Sequence, residues 1–82
     1  MGTTEKNIAT LSIMVQDKAS AASVNELLGK HSEVIIGRLG IPYRTKGVSI
    51  IVVVVDSEVS SIGSLCGSVG NIPGVSIRST ML

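Results

Sequence analysis

Residues 8–16 read IATLSIMVQ, with apolar side chains on alternate positions. Ala9, Leu11, Ile13 and Val15 share one face, and Ile8, Thr10, Ser12 and Met14 share the other. A period of two marks a strand, here with one strongly buried face. Asp17 follows it, where a carboxylate can accept from the free amides of a first helical turn. The period then lengthens. Ala21, Val24, Leu27 and Leu28 form a helical stripe within residues 18–30, and Gly29 stands where that helix should fray or end.

Residues 33–41, EVIIGRLGI, return to strand composition. The loop IPYRTKG leads on to GVSIIVVVVD, the most β-prone segment of the chain. Ser57 is expected to cap a second helix over 57–70, with Val59, Ile62, Leu65, Cys66 and Val69 on its inner stripe. Gly70-Asn71 ends this helix, and Ile72-Pro73-Gly74 turns the chain into a last strand over 75–80. The order is strand, helix, strand, strand, helix, strand. Two such halves predict an α+β ferredoxin-like sandwich, βαββαβ, with a four-stranded antiparallel sheet and both helices on one face. One domain spans residues 1–82, and residues 1–6 read as a disordered tail.

The third predicted strand strains this scheme. A sheet covered on one face should alternate apolar and polar residues. Residues 50–55 do not: Ile50, Val52 and Val54 point one way, and Ile51, Val53 and Val55 the other. Both faces ask for burial, which predicts a homo-oligomer, a dimer or tetramer, with Ile50, Val52 and Val54 at its interface.

Composition narrows the function. With 82 residues there is room for one small core, and with one Tyr and neither Phe nor Trp it must be aliphatic. A formal net charge of +1 argues against a strongly electrostatic nucleic-acid binder. The single Cys excludes an intrachain disulfide and suits a reducing cytoplasm. No apolar run approaches the ~20 residues that cross a bilayer, and MGTTEKN lacks the layout of a secretory leader.

Candidates for chemistry are few. Cys66 lies on an apolar stripe, where a free thiol packs as a small hydrophobe. His31 follows the first helix, where a cap or a dipole partner is expected. The chain has no Cys/His cluster, so a metal site could form only by symmetry, with His31 or acidic residues from several subunits. Neither Gly37-Arg-Leu-Gly40 nor Gly63-Ser-Leu-Cys-Gly67 matches a phosphate-binding fingerprint. Gly37 and Gly40 point instead to a bulge or a close backbone approach in a strand. Gly63 and Gly67 would cost about 1 kcal/mol each within a helix, unless the sheet or another subunit packs closely there. Arg38 lies in the second strand, on its solvated face or as a fork for an anion. Tyr43, Arg44 and Lys46 form a basic loop able to contact a ligand, a partner or nucleic acid.

The segment IIGRLGIPYRTKGVSI (35–50) resembles the most telling stretch of a family of small regulators of the iron-only hydrogenase system. The likeness extends over almost the whole chain, including IPGV at residues 72–75. That family is similar to ACT-type regulatory domains and to the ligand-sensing domain of the nickel-responsive repressor. The resemblance implies the same sandwich, paired subunits and small effectors held at subunit interfaces. It carries over no nickel site, since the repressor's sensing domain uses several His and a Cys, and it implies no cofactor. The expectation is a non-enzymatic, cytoplasmic regulatory domain with Arg38, Tyr43, Arg44 and Lys46 as ligand contacts. Its rivals are a transcriptional regulator that binds nucleic acid through residues 43–47, a small enzyme or redox protein using Cys66, and a structural adaptor without effector.

Overall fold

The computed structural model describes residues 6–82. The expected tail over 1–6 therefore lies outside the described residues, save Lys6, with which the first strand opens. The elements are β1 (Lys6–Val15), α1 (Ala21–Lys30), β2 (Ile35–Tyr43), β3 (Val48–Glu58), α2 (Val59–Gly70) and β4 (Val75–Met81). The sheet order is β2-β3-β1-β4, and every neighbouring pair is antiparallel. Each half is thus a split βαβ unit, with a strand of the other half inserted between its own two. This is the predicted ferredoxin-like sandwich.

Burial follows the period of two. Ala9, Leu11, Ile13 and Val15 of β1 and Ile51, Val53 and Val55 of β3 are at most 7% exposed. Val24 and Leu28 of α1 and Ile62, Leu65 and Val69 of α2 close over them to form one aliphatic core. The Asp17 carboxylate accepts from the Ala19 amide at 3.0 Å and opens a 3-10 turn, Lys18–Ser20, ahead of α1. Gly74 has φ +73°, and a Cβ there would lie 2.7 Å from Asp17 Cβ, so this turn requires glycine. The Gln16 amide donates to Gly74 O at 2.8 Å and the Ser20 hydroxyl to Pro73 O at 2.5 Å. These bonds tie the exit of β1 to the entry of β4.

Several expectations need correction. Ser57 does not cap a helix: it pairs with Asn7 as part of β3, and Glu58 takes the position before α2 without a side-chain cap bond. Pairing with the start of β1 extends the strand by the two residues that local sequence assigned to the helix. Val59 is 54% exposed and leaves the inner stripe, whose remaining members stay in place. The end of α1 at Lys30 is the expected one, a residue beyond Gly29, although Gly29 has no positive φ and is not a left-handed cap. A 3-10 turn at Ser32–Val34 delays β2, which then runs past Ile41 to take in Pro42 and Tyr43 from the predicted loop. Proline is tolerated there because β2 is an edge strand.

Both readings of glycine pairs receive an answer. The β2–β3 register passes from Ile35↔Val55 to Gly37↔Val54, so Ile36 is the extra residue of a bulge, as the glycine at 37 suggested. Gly63 and Gly67 lie on the outer side of α2, and a Cβ at either would meet nothing within 4 Å. Close packing against the sheet is therefore not their reason.

Candidate functional site

The face of the sheet turned away from the helices divides into two strips. Along β3 it presents Ile50, Val52 and Val54, all half-buried, flanked on β2 by their partners Ile41, Leu39 and Gly37. Leu39 is 57% exposed, and Ile41 and Tyr43 are each 43% exposed. This strip is apolar. On the other side, β1 and β4 present Thr10, Ser12, Ser76, Arg78 and Thr80, mostly hydroxyl-bearing, with Met14 beside Ile50 and Ile8 beside Asp56 as the apolar members. Asp56 and Arg78 lie apart on this face, on different strands and outside the apolar strip.

A groove runs between the start of α1 and the β2–β3 hairpin. On the helix side of β2 the register places Arg38, Gly40 and Pro42 opposite Val53, Ile51 and Ser49. Gly40 and Pro42 offer little side chain, so the space beside α1 stays open. One cavity of about 360 Å³ is lined by residues including Val15, Lys18, Ala21, Tyr43, Arg44 and Ser49. A second, of about 280 Å³, includes Asn25, Arg38 and Gly40. Val15, Ala21, Pro42 and Ser49 line both, so the two are parts of one groove.

Of the four predicted ligand contacts, the groove gathers Arg38, Tyr43 and Arg44. Arg38 Nη2 donates to Asn25 Oδ1 of α1, so its guanidinium reaches across from the edge strand. Lys46 lines neither cavity; it lies in the 3-10 turn Arg44–Lys46, exposed at the hairpin tip. Sequence reasoning missed Lys18. The available signal was its place directly after the Asp17 cap, which fixes it at the entrance to α1.

The remaining candidates have structural roles. His31 ends α1: its Nδ1 donates to Leu27 O at 3.0 Å, and its backbone amide to Leu28 O at 3.0 Å. Cys66 is half-buried and packs against the core. A smaller cleft of about 250 Å³ brings Ser57 and Ser61 near His31 and Glu33. Among the described residues no three of His, Cys, Asp and Glu come together in a group able to hold a metal ion. Among them, too, no helix is long and apolar enough to cross a membrane.

Comparison with known proteins converges on one family. The TM1266-like family model, provisionally described as that of an iron-only hydrogenase system regulator, matches residues 7–79. Among solved structures, the uncharacterized protein TM1266 from Thermotoga maritima is similar with a TM-score of 0.91 at 37% sequence identity. That similarity covers 95% of this chain and 99% of the other. No curated protein matches the sequence.

Proposed function

The chain belongs to the TM1266-like family, provisionally described as an iron-only hydrogenase system regulator, and from that premise we propose that it is a non-enzymatic, effector-responsive ACT-like domain. In this reading it works in the cytoplasm as a homo-oligomer, and effector binding shifts its assembly or its hold on a protein partner. The observation that carries the reading is the uncovered apolar strip of Leu39, Ile41, Ile50, Val52 and Val54.

A monomer in water has no use for such a strip, because exposed apolar patches mark sites of association. A second copy suits it best. An isologous pair lays the same strip against itself, and this one carries no charge that would then face its own likeness. Asp56 and Arg78, which lie outside the strip, are opposite in sign and can meet across a two-fold axis. A regulatory role also agrees with what the reactive side chains do: His31 caps a helix and Cys66 packs against the core.

The test is native mass by light scattering at micromolar concentration, with and without candidate effectors. A dimer or tetramer is expected. A monomer under these conditions overturns the reading.

A further inference from the structure

We propose that the groove between α1 and the β2–β3 hairpin binds a small organic anion, its charged head held by Arg38, Arg44 and Lys18 and its compact apolar body by the groove walls. The inference rests on the effector-responsive reading above and names the chemical class of the effector.

Three observations carry it. The first is charge: three cations from three separate parts of the chain converge on one groove, and no carboxylate is among the residues lining either cavity. Asp17 is next to Lys18 in sequence, but it lines neither cavity and its carboxylate caps the Ala19 amide. Cations gathered without acidic partners repel one another and raise the local potential, which an anion relieves.

The second is geometry at Arg38. Its bond to Asn25 Oδ1 uses a guanidinium donor and holds the group between β2 and α1. A guanidinium carries five N–H donors in a planar fork, so donors remain for a carboxylate or phosphate. The third is size and lining. The cavity of about 360 Å³ lies at the lower end of small-molecule sites, roughly 300–1,000 Å³, and the one of about 280 Å³ adjoins it. Val15, Ala21 and Pro42 supply apolar wall, and Tyr43 lies at the rim. An inorganic ion would leave those walls wet, and a folded partner would not enter.

The probe is phenylphosphate, titrated into isotopically labelled full-length protein and followed by amide NMR shifts. Benzyl alcohol serves as the neutral control and inorganic phosphate as the control without an apolar body. Saturable shifts are expected around Val15, Ala21, Tyr43 and Ser49, with both controls at least about tenfold weaker. Arg38→Gln and Arg44→Gln should each weaken phenylphosphate by about tenfold or more, as loss of a charge-assisted hydrogen bond predicts. Both residues are exposed, so the variants should fold, which circular dichroism on the same samples verifies.

No saturable shift below about 10 mM, in the weak-binding range, overturns the proposal. So does equal binding of benzyl alcohol, or undiminished binding by a folded double variant. Shifts of these residues by an acidic peptide or single-stranded DNA, with none by phenylphosphate, also overturn it in favour of a macromolecule. Native mass on the same samples separates the two proposals. An oligomer that ignores phenylphosphate defeats the groove alone, and a monomer that binds it defeats the assembly alone.

Discussion

The two faces of β3 carry nearly the same residues and have different surroundings. Ile51, Val53 and Val55 lie beneath the helices and are almost wholly buried, whereas Ile50, Val52 and Val54 lie on the open face and are half-buried. Fully burying such a side chain contributes about 1.5–3 kcal/mol. The helix-covered triplet realises that gain within one chain, and the other triplet realises only part of it. The difference teaches that hydrophobicity along a strand reports what the strand needs and is silent on what supplies it. Helices supply one face here, and the proposed second copy supplies the other.

The comparison can be broken hardest at its covered side. Leu11→Ala should lower unfolding stability by about 2–5 kcal/mol, because it leaves a cavity at a fully buried site. Chemical denaturation measures this, and a loss below about 1 kcal/mol would mean that the core collapses easily around the gap.

On the open side, Val52→Asp should leave the circular dichroism spectrum of the subunit intact and reduce the native mass to that of a monomer. An unchanged mass would show that this strip is not the contact. An unfolded variant would erase the distinction between the two faces.

A smaller effect is expected at the end of the covered layer. Gly74→Ala should cost about 1–3 kcal/mol through its left-handed backbone, with crowding against Asp17 in addition. Its melting temperature should fall while its native mass stays unchanged.

The mildest change concerns the outer side of α2. Gly63→Ala and Gly67→Ala should each stabilise by up to about 1 kcal/mol, since the added methyl meets nothing within the chain. Loss of native mass in either would reveal that the outer side of α2 is also a subunit contact.

Much of the fold was legible because its signals are local. The alternation in residues 8–16, the Asp17 cap, the Gly70-Asn71 stop and the Pro73-Gly74 turn each depend on a few neighbouring residues. The burial of Ala9, Leu11, Ile13 and Val15 followed directly from the period of two. What escaped depends on pairing. Ser57 has the side chain of a helix cap, and it joins β3 only because Asn7, fifty positions away, is there to pair with it. Val59 fits the spacing of the α2 stripe but lies in its first turn, beyond the covered part of the core. The groove was legible in part. Arg38, Tyr43 and Arg44 stood out as polar residues in an apolar run, whereas the Asp17 cap places Lys18 at the entrance to α1 and only tertiary structure brings that entrance beside the hairpin.

The extra residue at Ile36 has a consequence for the whole design. A strand is read in twos, and one inserted residue shifts the frame of everything downstream. Ile35 faces the helices, so strict alternation would send Leu39, Ile41 and Tyr43 under them and Arg38 out onto the open face. The bulge exchanges these assignments. It sends the large apolar side chains to the open strip and places the arginine and the two small residues beside α1. One residue of slack in an edge strand thus sorts the same nine-residue word, IIGRLGIPY, into a sticky side and a hollow side.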